Sequence, residues 1–316
     1  MSNNPKPTKI LVLGAGELGT ALLTSLSTLP AHTYTLTLGV RSPQSYTSLA
    51  TSLPSLSILP IDLSSPSATL IPLFSAYDIL ISATGFAQSP STLLKLAHEA
   101  LGAGALRQQR GEGRLWFFPW QWGVDYDVIG DGAGLMPLFG AQREVREVLR
   151  REAEGSAVQW TVVSTGIFMS FLFEPFWGVV ERGVGAEGGV KVRCLRDWTH
   201  KVTVTDVHDI GRVLARIVAG DVEAENRVLY VAGDTVSYGD LVDIVQRVSG
   251  KQVEREEWSI PMLEEELKKE PEDGIKRYRL VFARDGVWWD KHSTVNHRLG
   301  MKMMDVDSYS QNLFTL

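Results

Sequence analysis

The sequence predicts an α/β protein: a doubly wound parallel sheet with helices on both faces, and a smaller α+β lobe. Three observations carry this. The first half alternates short, wholly apolar runs with helical stretches. The first of those runs, Ile10 to Leu13, leads straight into a glycine-rich turn and then an apolar-periodic segment. The second half loses that regularity and turns to aromatic clusters, glycines and shorter strands.

In chain order, Ile10–Leu13 has the continuous apolar character of a strand buried on both faces. Leu18–Leu29 reads as a helix, Thr35–Val40 as a second strand, Pro43–Leu53 as helical and Leu56–Asp62 as a third strand. Asp78–Ala83 is a fourth strand, Ser91–Leu101 a helix and Leu115–Phe118 a fifth strand. Gln142–Glu152 carries Val145, Val148 and Leu149 on one helical face, and Trp160–Ser164 is a sixth strand. Further on, Val202–Thr205 and Val228–Val231 read as strands around the helix Asp209–Val218. Tyr238–Ser249 and the charged Met262–Glu270 read as helices, and Gly183, Gly185, Gly188 and Gly189 mark a loop. The expected division is residues 1–165 for the sheet domain, with the strands near 202–231 completing its sheet. Residues 166–200 and 235–316 form the smaller, substrate-binding lobe.

Composition narrows the function. With 316 residues, 44% apolar and 22% charged, the chain is an ordinary globular protein rather than a disordered or fibrous one. Its net charge of −6 argues against nucleic acid as the main partner and against a basic membrane-binding face. The lone cysteine, Cys194, excludes an intrachain disulfide. The segment Met1–Lys9 is polar, and the apolar run after it stops at Gly14, too short for a signal-peptide core. A cytoplasmic enzyme without a membrane span is expected, and the sequence leaves an oligomer open. No H-E-x-x-H or thiolate-rich set is present, so no metal site is expected, and no G-x-S-x-G elbow marks a serine hydrolase.

The strongest motif is Gly14-Ala15-Gly16-Glu17-Leu18-Gly19, between an apolar strand and a helix. Gly14 allows a tight turn, Gly16 lets the backbone approach a pyrophosphate, and Gly19 lets helix and strand pack closely. The helix start at Glu17 and Leu18 then offers free N–H groups to the phosphates. This is the fingerprint of a Rossmann dinucleotide site. Where an NAD enzyme places an acid at the end of the second strand, this chain has Arg41-Ser42. A guanidinium and a hydroxyl suit a 2′-phosphate, so NADP is the expected cofactor. Asp62 after the third strand, Thr84 and Gly85 after the fourth, and Phe118 at the end of the fifth are further cofactor candidates. All stand at carboxyl ends of strands, where open α/β sheets bind ligands.

The segment Phe118-Pro119-Trp120-Gln121-Trp122-Gly123-Val124-Asp125 resembles the F-P-S-E-F-G-x-D stretch of plant phenylpropanoid reductases. Together with the glycine motif, Arg41 and Val162–Phe168, it makes the chain similar to NmrA-like and isoflavone reductase-like atypical short-chain dehydrogenase/reductases over nearly its whole length. The resemblance implies a Rossmann domain, NADPH, and a small C-terminal domain over an aromatic or alkaloid-like substrate. The reductases of this group carry a lysine early in the helix after the fifth strand, holding the nicotinamide ribose and assisting proton transfer. Gln142 stands there in this chain, and glutamine has no acid–base function near neutral pH. No tyrosine is followed by lysine four residues later, so the usual short-chain dehydrogenase dyad is missing too.

Asp125, Tyr126 and His200 are the candidates for moving a proton, beside Gln142 as the ribose-orienting residue. A cap at Asp125 and a solvated turn around His200 and Lys201 are the alternatives, and Glu174 is expected to face solvent. Trp120, Trp122, Phe168, Phe171 and Trp177 are candidate walls for an aromatic substrate, with core packing as the alternative. Three functions follow: an NADPH-dependent reductase of an aromatic or nitrogen-containing secondary metabolite, a non-redox NADP-dependent cyclase or condensing enzyme, or an NADP(H)-sensing regulator.

Overall fold

In the computed structural model, residues 6–85, 89–185 and 188–315 are described. The elements begin with β1 (Thr8–Leu13), α1 (Glu17–Leu26), β2 (Tyr34–Val40), α2 (Thr47–Ser52), β3 (Leu56–Pro60), α3 (Ser67–Phe74), β4 (Ile79–Ser82), α4 (Pro90–Gln109) and β5 (Leu115–Phe118). There follow α5 (Tyr126–Ile129), α6 (Pro137–Glu152), β6 (Val158–Ser164), β7 (Ile167–Phe168), β8 (Val180–Val184), β9 (Gly189–Leu195), β10 (Lys201–Thr205), α7 (Val207–Val218) and β11 (Arg227–Tyr230). The last are β12 (Asp234–Ser237), α8 (Tyr238–Ser249), β13 (Val253–Trp258), α9 (Ile260–Lys269), α10 (Gly274–Phe282), α11 (Val295–Arg298) and α12 (Val306–Thr315). Two units share the chain: residues 1–121, 141–163 and 210–229 in the first, and 122–140, 164–209 and 230–316 in the second.

The first unit holds the sheet β11-β6-β5-β4-β1-β2-β3. The pairings of β1 with β2 and β4, β2 with β3, β4 with β5, and β5 with β6 are all parallel. Strand order reverses between β1 and β4, which makes the carboxyl ends of these two strands the switch point of a doubly wound sheet. Ile10 to Leu13, Leu38, Leu80, Ile81 and Phe117 are almost fully buried. That is why these strands read as unbroken apolar runs: helices cover both of their faces. The predicted fold class is the one observed.

The second unit contains two three-stranded sheets, β12-β10-β7 and β13-β9-β8. Its core gathers Met169, Leu172, Trp177, Val192, Leu195, Leu241 and Phe282. Helix α8 starts in a capping box, in which the Ser237 hydroxyl accepts from the Asp240 N–H and the Asp240 carboxylate accepts from the Ser237 N–H.

Two expectations need correction here. Arg227–Tyr230 joins the large sheet as foreseen, but the strand around Val202–Thr205 does not. It pairs with β12 and β7 in the second unit. Of the glycines expected to mark a loop, Gly185 and Gly188 lie in turns, but Gly183 and Gly189 belong to the strands of an antiparallel hairpin, β8 with β9, in which Val180 pairs with Val192. Alternation in Val190, Val192 and Cys194 buries one face of β9 and leaves the other to Lys191 and Arg193.

Candidate functional site

The glycine turn between β1 and α1 is shaped by contacts that only glycine allows. Gly14 has φ of +93°, and a Cβ on it would lie 2.9 Å from the Ala83 carbonyl oxygen. A Cβ on Gly19 would lie 2.2 Å from the Gly14 carbonyl oxygen, so helix and turn close on each other. Gly16 differs: a Cβ there would meet nothing within 4 Å. It is the N-cap of α1, and no side chain caps the helix. The first helical bond inside the turn runs from the Thr20 N–H to the Gly16 carbonyl. The helix start therefore faces open space with its partial positive charge uncovered by a capping group. Glu17 is exposed, whereas Leu18 is a core residue whose main chain alone is left for a ligand.

Arg41 and Ser42 follow β2 and are both exposed. Ser42 is the N-cap of the short turn Pro43–Tyr46 and makes no side-chain capping bond. Asp62, also exposed, accepts from the Ser64 N–H at 2.9 Å and the Ser64 hydroxyl at 2.8 Å. These two bonds, with the Arg41 and Lys95 charges nearby, hold its carboxyl below the usual carboxylate range. Lys95 ties this loop to α4 by donating to the carbonyls of Leu63 and Ser65 at 2.9 Å each, and to Glu99. Sequence reasoning passed over Lys95, though its i,i+4 spacing to Glu99 was visible. Ser82 and Thr84 share a hydroxyl–hydroxyl bond of 3.2 Å beyond β4, and Gly85 has φ of +73°. Phe86, read with them as part of the same strand end, lies outside the described residues.

A second group sits where β5 meets α6. Gln142 is 1% exposed, and its side chain lies on the helical face of Val145 and Leu149 as its spacing predicts. The Gln121 Nε2 donates to the Gln142 carbonyl at 2.6 Å, and the Arg146 Nε donates to the Gln121 Oε1 at 2.6 Å. Gln121 and Arg146 are equally buried. The Oε1 of Gln142 is buried and has no hydrogen-bond partner. An acceptor left in that state costs about 1–3 kcal/mol. Gln121 and Arg146 were not foreseen; the clue was a second polar residue four positions after Gln142 on an otherwise apolar stripe.

Several foreseen residues have structural positions. Phe118 is fully buried and packs 4.9 Å from the Trp116 ring, so its side chain belongs to the core rather than to a cofactor surface. Trp177 is 0% exposed against Tyr278 and Phe282 and is a core residue, not a pocket wall. Trp122 is buried as well, while Trp120 is half-buried. Tyr126 is buried edge-on against Phe139. His200 is buried with its Nε2 2.9 Å from the Phe282 carbonyl oxygen, and burial pushes its pKa down. Glu174 and Lys201 face solvent.

Asp125 caps α5 by accepting from the Asp127 N–H, and its Oδ2 accepts from the Tyr230 hydroxyl at 2.7 Å. Phe168 and Phe171 are half-buried and meet edge to face at 5.9 Å, and exposed Phe176 continues the series 5.4 Å from Phe171. The second unit thus brings Phe168 and Phe171 together as an aromatic surface, without Trp177. Among the described residues, no helix is long and apolar enough to cross a membrane.

A family model described as the NmrA-like family matches residues 6–300. The chain belongs to the NmrA-like family. A relative from Gibberella moniliformis, an NmrA-like family domain-containing oxidoreductase, is 37% identical over 96% of this chain and 97% of its own. Among solved structures, the NmrA-like chain is similar in fold to an isoflavone reductase (TM-score 0.75, 17% identity, 97% of this chain and 99% of that one). It is also similar to AtPrR2 with NADP+ and (+)pinoresinol (TM-score 0.74, 17% identity, 98% and 99%). An NADPH-dependent quinone oxidoreductase from Escherichia coli, complexed with NADPH, has a TM-score of 0.73 at 18% identity, covering 96% and 99%. These likenesses establish the Rossmann-like fold of this NmrA-like protein.

Proposed function

We propose that this protein is an NADPH-dependent reductase acting on a small aromatic or nitrogen-containing secondary metabolite. The carrying observation is the open, uncapped start of α1 at Gly16, with Arg41 exposed after β2. The residues fit the cofactor on their own chemistry. Gly16 leaves the space a pyrophosphate needs, and Arg41 with Ser42 offers a guanidinium and a hydroxyl to a 2′-phosphate. Asp62 faces the adenine edge on a loop held by Lys95, and Thr84 and Gly85 leave room beyond β4. The orphaned Oε1 of Gln142 accepts from a ribose hydroxyl, which removes its desolvation cost. Bound NADPH supplies a hydride from C4 of its nicotinamide ring. Within the second unit, the half-buried pair Phe168 and Phe171 offers an apolar surface of the kind that takes an aromatic ring. The named cofactors of the structural neighbours support the same reading.

Gln142 also favours a second reading. An amide binds and orients but moves no proton, so a non-redox cyclase or condensing enzyme that holds NADP as part of its site has the same requirements. A regulator that senses NADP(H), as the NmrA-like membership allows, is the third. One experiment separates them. The purified protein is incubated with NADPH and a panel of aromatic and nitrogen-containing substrates, and near-ultraviolet absorbance and product are followed together. Loss of absorbance with product supports the reductase. Product at constant absorbance overturns it in favour of non-redox chemistry, and binding of both redox forms without any product favours the sensor.

A further inference from the structure

The turn between β3 and α3 is held by one residue of α4. Ile61 opens the turn, buried against Gly39, with its N–H on the Val40 carbonyl at 2.9 Å. Ser67, the first residue of α3, closes it and donates its hydroxyl proton to the Glu99 Oε1 at 2.8 Å. The Lys95 ammonium has three protons, and three acceptors take them: the Leu63 carbonyl, the Ser65 carbonyl and the same Glu99 Oε1. Lys95 is half-buried and the Glu99 side chain is 2% exposed, so salt and water screen this pair far less than a surface one. Between the two tethered carbonyls lies Ser64. Its N–H and hydroxyl donate to the Asp62 Oδ1 at 2.9 and 2.8 Å, and the Ser65 N–H donates to the Asp62 carbonyl at 3.0 Å.

With its three protons spent, Lys95 has no bond to give a nucleotide, and its influence passes through the turn. We infer that Lys95 is a positioning residue that sets the protein's preference for an adenine base. By fixing the Leu63 and Ser65 carbonyls it fixes Ser64, and through Ser64 the exposed carboxylate of Asp62, which accepts from the adenine amino group. Hypoxanthine carries a carbonyl oxygen in place of that amino group, so an acceptor then faces an acceptor. The inference rests on the NADP reading given above and adds to it the residue that selects the base.

The test compares NADP+ with its hypoxanthine analogue, deamino-NADP+, by calorimetric titration of the full chain. The parent binds NADP+ about tenfold or more tighter than the analogue, the worth of one charge-assisted hydrogen bond. Lys95→Met/Glu99→Gln frees the turn without leaving a buried carboxylate unpaired, and the preference falls to about threefold or less. Should the double variant fail to fold, Ser64→Ala, at an exposed position, cuts the relay at its other end and narrows the preference in the same direction. A Lys95 that serves the fold alone lowers both affinities together and leaves their ratio unchanged. That result overturns the inference while the NADP reading stands, as does a parent that binds the two dinucleotides alike. A parent that binds neither dinucleotide overturns both.

Discussion

The side chain of Gln121 donates to the main-chain carbonyl of Gln142 at 2.6 Å, fastening the end of the β5 segment to α6. Arg146 closes the chain of contacts by donating to the other end of the same Gln121 amide. The result is a glutamine, Gln142, whose backbone is pinned from one side while its own buried amide oxygen has no hydrogen-bond partner. Rigid support of this kind lets a short polar side chain orient a hydroxyl.

Gln142→Ala is expected to weaken NADP(H) binding and to leave the pH dependence of any turnover unchanged, since an amide does not titrate. Gln142→Lys is expected to raise NADPH oxidation if an ammonium there is what the reaction lacks. Calorimetry and pH–rate profiles of both variants check this. An ionisation that vanishes in the alanine variant, or cofactor affinity that does not change, contradicts the role of Gln142.

Gln121→Leu removes both bonds at once, the one to the Gln142 carbonyl and the one from the Arg146 Nε. It should cost about 1–3 kcal/mol of stability, read as a lower urea midpoint with an unchanged slope. A midpoint equal to that of the parent would show that Gln121 is dispensable to this support.

Arg41→Ala should lower affinity for NADP+ by about 10–150-fold, the equivalent of one charge-assisted contact worth about 1.5–3 kcal/mol, and leave NAD+ affinity nearly unchanged. Parallel titrations with the two cofactors measure the ratio directly. Similar losses for both would place Arg41 away from the 2′-phosphate.

Gly16→Val should abolish NADP binding without unfolding the protein, because the space beside Gly16 is empty of protein atoms. The parent gains about 2.7 kcal/mol from NADP at 100 times its dissociation constant. Thermal melting should show that gain in the parent and none in the variant, at similar midpoints without ligand.

His200 makes stability depend on pH. Its folded pKa lies below the ordinary value of 6.5, first because of burial. The unfolded chain therefore takes up the proton first as pH falls, and stability drops from about pH 6.5 down to the folded pKa. Above pH 7 the effect is absent. His200→Gln should flatten the fall in melting temperature between pH 7 and pH 5, even if it lowers the value at pH 7 by disturbing the bond to the Phe282 carbonyl. An unchanged slope would show that other groups govern the acid side.

The large sheet was legible because its strands are buried on both faces and so carry uninterrupted apolar runs, as in Ile10–Leu13. The glycine turn was legible because each glycine answers a separate steric demand. β13 was not: Val-Glu-Arg-Glu-Glu-Trp looks like a charged segment, and it is a strand because Arg193 and Lys191 of β9 pair with Glu256 and Glu254 across the sheet. Trp177 was misjudged for a related reason. Aromatic residues beside a strand end look alike whether they line a pocket or seal a core, and only the packing of Tyr278 and Phe282, about a hundred residues later in the chain, decides for Trp177. Gln142 was placed inward correctly, since helical spacing alone sets that; its support by Gln121 depends on a loop conformation that spacing does not encode.

The position of β11 at the end of the large sheet has a consequence for synthesis. As the chain leaves the ribosome, β6 emerges well before Arg227–Tyr230, the strand that lies beside it. For roughly 3–13 s at ordinary elongation rates, the outer edge of an apolar strand containing Val158, Trp160 and Val162 has no neighbour. An open edge of this kind is a template for pairing with another nascent chain. The exposure ends when Asn226 arrives: its N–H reaches the Trp160 carbonyl at 2.8 Å, and its side-chain oxygen takes the Trp160 N–H at 3.2 Å. Slow codons between β6 and β11 would lengthen that window, and a chaperone bound to nascent chains would be expected to engage this one there.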